Sequence, residues 1–186
     1  MLNTFVVDVE NKPGVLTRVA TLFRRRAFNI DSLTVGRTEK PEVSRMTIVV
    51  DADHDQALRV EANLYKLVNV LFVENITGKP AISRDLAMIK VTATHGTRSH
   101  VLELANVFRG RVVDVAPDSL TIEITGPEAK IDGLIEILRP YGIIEMVRTG
   151  VVAMRRGNKA ESPSSSIGSD NGAEPAAPDD NVSYSV

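Results

Sequence analysis

The stretch Phe5-Val6-Val7-Asp8-Val9-Glu10-Asn11-Lys12-Pro13-Gly14-Val15-Leu16-Thr17-Arg18-Val19-Ala20-Thr21-Leu22-Phe23 decides how this chain reads. From Leu2 to Val9 the apolar residues alternate roughly, as a half-buried strand requires. Asn11-Lys12-Pro13-Gly14 is a turn cluster. Beyond it, Val15, Leu16, Val19, Ala20, Leu22 and Phe23 recur at helical spacing, with Arg18 and Arg24 to Arg26 set against them. The three arginines fall at the C-terminal end of this helix, where positive charge is favourable to the helix dipole.

Reading outward, Phe28 to Arg37 and Val43 to Asp51 are two β-rich runs joined by the hairpin connection Thr38-Glu39-Lys40-Pro41-Glu42. Ala57, Leu58, Ala62, Leu64, Tyr65 and Leu67 mark a second helix, and Val70 to Ile76 a fourth strand. The order is β-α-β-β-α-β. Gly78-Lys79-Pro80 interrupts the pattern, which then restarts. Leu86 to Ala93 reads as a strand, Ser99 to Phe108 as a helix, and Arg111 to Ala116 with Leu120 to Thr125 as a hairpin. Ile131 to Leu138 is a helix opened by Gly126-Pro127, and Ile143 to Met154 is the closing strand.

The fold class is therefore α+β: two tandem ferredoxin-like (βαββαβ) modules, each with two helices on one face of a four-stranded antiparallel sheet. The expected divisions are residues 1–77, a linker at 78–84, a second module at 85–157 and a tail at 158–186. The tail carries one Lys against five acids, a net −4, and its only large aliphatics are Ile167, Val182 and Val186. Such a composition buries too little apolar surface to offset ordering entropy, so disorder is expected.

Composition narrows the function. Among 186 residues there are 22 Lys and Arg against 24 Asp and Glu, so the chain lacks the basic excess of a protein that lives on phosphate backbones. Aromatics make up only 4%, and Met46 to Val50 and Leu120 to Thr125 carry none, against base-stacking strands of the RNA-recognition type. No apolar run reaches the ~18 residues of a membrane span, and no signal peptide is evident. Zero Cys removes disulfides, thiolate metal sites and cysteine nucleophiles, and fits a reducing cytoplasm. Asp51-Ala52-Asp53-His54-Asp55 begins like a calcium loop, but Gln56 and Ala62 stand where Gly and the bidentate Glu belong; these acids suit a helix N-terminus instead. No nucleophile elbow, Walker loop or dinucleotide fingerprint is present.

The first turn carries the chemistry. Pro13 presets the helical φ, and Gly14 removes a Cβ that would keep a ligand from the backbone. The free N–H groups of Gly14, Val15 and Leu16 then face outward at a positive helix end, suited to a small carboxylate. Asn11 adds a neutral amide beside them. Asn29, past the same helix, offers a carbonyl oxygen to an ammonium group, and Ile30 an apolar wall. Carboxylate, ammonium and aliphatic contacts together describe a branched amino acid. The same residues also describe a plain strand-to-helix turn, with Asn29 as a left-handed C-cap.

Glu10 to Leu16, with Phe28-Asn29-Ile30-Asp31-Ser32-Leu33-Thr34-Val35 and Ser44-Arg45-Met46-Thr47-Ile48, resembles the first ACT domain of the acetolactate synthase (acetohydroxyacid synthase) small-subunit family. Phe108 to Val115 and Arg148 to Met154 resemble that family's C-terminal domain, and the likeness spans roughly residues 1–157. The resemblance implies a non-catalytic regulatory subunit without cofactors of its own. Its catalytic partner would carry thiamine diphosphate, magnesium and FAD and make acetolactate or acetohydroxybutyrate on the route to branched-chain amino acids. It also implies a homodimer through paired ACT domains. Valine, or a related amino acid, would bind at the pair interface on Asn11, Gly14 and Asn29, in a pocket lined by Val15, Leu16 and Ile30. The alternative is a free-standing amino-acid sensor acting on another partner.

Overall fold

Alternation along the first strand divides its side chains between two destinations. In the computed structural model, which describes residues 1–157, β1 (Leu2–Glu10) sends Phe5, Val7 and Val9 into a core beneath two helices. Val6 faces the opposite way, into a separate apolar cluster. The first unit continues as α1 (Val15–Arg25), β2 (Ile30–Arg37), β3 (Val43–Asp51), α2 (His54–Leu64) and β4 (Val70–Asn75). Its antiparallel sheet has the order β2-β3-β1-β4, with β2 and β4 at the edges. Val15, Val19 and Phe23 of α1 and Ala57, Val60 and Leu64 of α2 close the core from one side.

The helix ends follow local chemistry. Asp53 caps α2 through a capping box, accepting from the Gln56 N–H at 2.8 Å while the Gln56 side chain accepts from the Asp53 N–H at 3.0 Å. At the end of α1 the chain turns through Ala27 at φ 55°, with Phe28 N–H donating to the Phe23 carbonyl and Ala27 N–H to that of Arg24. The Phe23 and Phe28 rings meet edge to face at 6.4 Å, completing a Schellman motif. The left-handed residue is thus Ala27 rather than Asn29, and β2 begins at Ile30 rather than Phe28.

The second unit repeats the order: β5 (Ala81–Thr92), α3 (Arg98–Val107), β6 (Arg111–Val115), β7 (Ser119–Gly126), α4 (Glu128–Leu138) and β8 (Ile143–Arg148). Its sheet runs β6-β7-β5-β8 over a core of Ala87, Ile89, Val91, Ile122, Ile124, Val101, Ile131 and Leu134. Two expectations are corrected. The run from Ile143 to Met154 is two strands, because Gly150 turns at φ 87° and releases β9 (Val152–Arg155) from the sheet path. Residues 81–84, expected as linker, form the first third of β5 and pair with β9, Ala81 opposite Arg155 and Arg84 opposite Val152. The expected disordered tail, 158–186, lies outside the described residues.

This β5–β9 ribbon lies across the face of the first sheet that the helices leave open. Val6, Ile76 and Ala153 are buried together there, with Ala81 and Val151 packed around them. Thr34 Oγ1 donates to the Val151 carbonyl, Val151 N–H to Ser32 Oγ, and Ala153 N–H to Thr47 Oγ1. The Arg155 guanidinium pairs with Glu74 of β4 at 2.9 Å.

Candidate functional site

The turn between β1 and α1 is built around an unusual N-cap. Gly14 holds φ 82°, a left-handed conformation in which a Cβ is strained, and an added Cβ would meet nothing within 4 Å. Open space lies on the side where a ligand would approach. Among the described residues no side chain caps α1 and no acid stands in its first turn, so they leave the positive end of the dipole uncompensated. The N–H groups of Gly14, Leu16 and Thr17 have no acceptor among the described residues, and that of Val15 reaches the Lys12 carbonyl only at 3.4 Å. This is an anion-accepting helix end.

Its neighbours are braced. Asn11 donates its backbone N–H to the Glu42 carbonyl at 2.7 Å and its side-chain amide to that of Pro41 at 2.9 Å, so the β2–β3 connection holds the turn. Behind it, Lys12 pairs with Glu10, Glu10 accepts from the Asn69 amide, and Asn69 Oδ1 accepts from Arg18 at 2.6 Å. Hydrogen bonds from Asn69 and then Lys12 hold the Glu10 carboxyl below the usual carboxylate range. Sequence reading passed over Asn69, which lies 58 positions from Asn11 and carries no local motif.

The six expected residues fall into two groups. Asn11, Gly14, Val15 and Leu16 stand at the start of α1, and Asn29 and Ile30 beyond its end. Val15 is a correction: its side chain is 4% exposed and belongs to the core, so it can offer a ligand only its N–H. Leu16 is exposed, Asn29 is exposed, and Ile30 is half-buried against the core. The eleven residues of α1 separate the groups by roughly 16 Å at ~1.5 Å per residue. Strand register agrees, since Ile30 lies opposite Val50, itself opposite Asn3, eight residues of β1 before Asn11 and therefore roughly 26 Å away. One chain does not bring the two groups together. Three concavities lie elsewhere, between α1 and α2, between the two units, and between α4 and β8, and none is lined by Asn11, Gly14 or Asn29.

The corresponding turn of the second unit, before α3, differs. Arg98 at the first helical position puts a positive charge at the positive helix end and folds back onto the carbonyls of Ala93, Ala116 and Pro117. No helix of the described residues is long and apolar enough to cross a membrane, and none of their His, Asp and Glu form a group of three suited to a metal ion.

Comparison with known proteins supplies the family. Residues 84–157 match the family described as the small subunit of acetolactate synthase, and residues 5–72 match the acetohydroxyacid synthase small subunit-like ACT domain. A probable acetolactate synthase small subunit of Archaeoglobus fulgidus is 52% identical over 159 residues, covering 86% of this chain and 99% of the relative. This chain belongs to the acetolactate synthase small-subunit family. The small subunit of Mycobacterium leprae is 50% identical over 155 residues, 83% of this chain and 92% of that relative. The crystal structure of the Thermotoga maritima small subunit superposes with a TM-score of 0.80 at 38% identity, covering 86% of this chain and 99% of that one. The first unit is accordingly an ACT-like fold, and membership of a small-subunit family supports a regulatory role.

Proposed function

We propose that this small subunit associates with a thiamine-diphosphate-dependent acetolactate synthase catalytic subunit, raises its activity, and makes it sensitive to valine or another branched-chain amino acid. Thiamine diphosphate, magnesium and FAD would belong to that partner and none to this chain. The reading rests on one observation above all: the uncapped, acid-free start of α1 at Gly14, with open space beside it, and the polar Asn29 at the far end of the same helix.

Two copies complete the site. β2 is an edge strand whose outer side has no neighbouring strand among the described residues. If two β2 edges pair antiparallel across a two-fold axis, one chain reverses relative to the other. The start of α1 in one protomer then lies beside the end of α1 in its partner, so Asn11, Gly14 and Leu16 face Asn29 and Ile30 of the second chain. The carboxylate would sit on the Gly14 and Leu16 N–H groups, the ammonium on the Asn29 carbonyl oxygen, and the aliphatic side chain against Leu16 and Ile30. Closing the pocket and setting the dimer geometry become one event. That gives the effector the differential affinity it needs to shift an equilibrium between two assemblies, typically ~1–3 kcal/mol of coupling.

Calorimetric titration with valine, leucine and isoleucine tests the reading. Saturable binding by the wild-type chain, abolished in Gly14→Asp, supports it, because the added carboxylate opposes the ligand's own at a strained position. Unchanged binding by Gly14→Asp would remove the turn from the site. Co-purification with a thiamine-diphosphate enzyme separates a regulatory subunit from a free-standing sensor.

A further inference from the structure

On the helical side of the first unit, α1 and α2 leave a groove of about 390 Å³ whose charge is entirely of one sign. Arg18, Arg25, Arg26 and Lys66 line it, Leu22 and Leu67 form an apolar floor, and no acid among the described residues borders it. None of the four cations makes an ion pair among the described residues; Arg18 donates to the neutral Asn69. Two arginines in the last turn of α1 complement its dipole, but that accounts for neither Lys66, from another segment, nor a concave arrangement around leucines.

We propose that the acidic segment Asp170–Val186 of the same chain docks in this groove. From Asp170 onward the sequence carries Asp170, Glu174, Asp179 and Asp180 with no Lys or Arg, four negative charges against four positive ones. Val182, Tyr184 and Val186 follow closely and supply apolar groups for the Leu22–Leu67 floor. Reach is sufficient. At the end of the described residues Arg155 is fastened to Glu74 of β4, and Val70, which opens β4, hydrogen-bonds back to Leu67 at the groove. The distance from Glu74 to Val70 is roughly 13 Å along the strand. The twelve residues 158–169 span up to roughly 40 Å when extended. Individual surface ion pairs are weak, but a tether of this length holds the segment at an effective concentration on the order of millimolar. Docking of this kind is sensitive to salt, since the Debye length shrinks as salt rises.

The chain contains no cysteine, so Ser183→Cys in the full-length protein gives a single attachment point for a nitroxide spin label. The amide signals of Thr21, Arg25, Asn63 and Lys66 should lose at least about half their intensity near 50 mM salt and recover near 500 mM. They should also recover in Asp179→Asn/Asp180→Asn, which alters no residue of the groove, and those of Thr21, Asn63 and Lys66 should recover in Arg25→Gln/Arg26→Gln. Broadening confined to another face, or no broadening at low salt, would overturn the proposal. So would broadening indifferent to both charge variants, which would leave the groove to an external acidic partner.

Discussion

Thr34 Oγ1 donates to the Val151 carbonyl at 2.7 Å, joining the edge strand of the first sheet to the segment entering β9, 117 residues later. The bond belongs to a row of contacts in which side-chain hydroxyls of one sheet face meet the backbone of another unit. Ser32 accepts from Val151, Thr47 from Ala153, and Glu74 pairs with Arg155. β2 therefore has one face on its own core and the other on the ribbon from the second unit, while Asn29 and Ile30 stand at its start. A shift of β2 on binding of the proposed effector would be felt by the second unit directly.

Thr47→Val tests how much this face contributes. Thr47 is 2% exposed, and the substitution leaves the Ala153 N–H buried without an acceptor. A loss of about 1–3 kcal/mol in urea-unfolding free energy is expected. Thr34→Val should cost less, about 1 kcal/mol, because its site is only partly buried.

Gly150 sits against the same strand. Its φ of 87° disfavours any Cβ, and one built there would approach Ser32 Oγ far inside contact distance. Gly150→Ala should destabilise by about 1–3 kcal/mol. Adding Ser32→Ala should recover part of that loss, and a double-mutant cycle measures the coupling between the two positions.

At the junction of the units, Asp85 is 3% exposed and accepts from both Arg148 and Thr149, while Arg148 reaches on to Asp132 at 2.8 Å. Burial opposes the Arg148 charge, and the hydrogen bonds and negative charges of Asp85 and Asp132 together outweigh it, holding the guanidinium pKa above its usual value. Arg148→Ala should cost about 3 kcal/mol in chemical denaturation, the low end for a broken buried pair because part of Arg148 reaches water.

Much of the fold was legible because its signals are local. Lys12-Pro13-Gly14 announces the first turn, and the acids from Asp51 to Asp55 mark the N-terminus of the second helix. The ribbon was not legible. Ala81 to Arg84 and Val152 to Arg155 pair across some 70 residues, and Ser32, Thr34 and Thr47 read as a solvated sheet face until another chain segment covers them. Val15 misled for the opposite reason: it follows Gly14 at the mouth of the turn, yet helical spacing places it with Val19 and Phe23 in the core. Separation of the six candidate residues into two groups was likewise hidden, since sequence shows neither helix direction nor sheet order.

The Schellman turn gives a fourth prediction. Ala27 holds a left-handed φ of 55° that glycine adopts without strain. Ala27→Gly should therefore leave stability unchanged or raise it by up to about 1 kcal/mol, whereas most alanine-to-glycine changes in helices lower it. Thermal unfolding of the two chains checks the sign.

Acid should loosen the brace behind the turn at Gly14. The Glu10 carboxyl titrates below its ordinary 4.5 because Asn69 and Lys12 stabilise the carboxylate. A depressed folded-state pKa means that this stabilisation is present above the unfolded value and fades as pH falls through the folded one. Asn69→Ala should move the Glu10 carboxyl titration, followed by carbon NMR, upward toward its ordinary value.

In the proposed function, one effector site needs the start of α1 from one chain and the segment beyond α1 from another. Valine titration of a mixed dimer, one protomer carrying Gly14→Asp and the other Asn29→Ala, addresses it directly. Each variant alone should fail to bind as a homodimer. In the mixed dimer one of the two sites carries both substitutions and the other carries neither, so binding should return at half the wild-type stoichiometry. A mixed dimer that binds no valine, while the wild type does, would contradict the shared site and place all the contacts within a single chain.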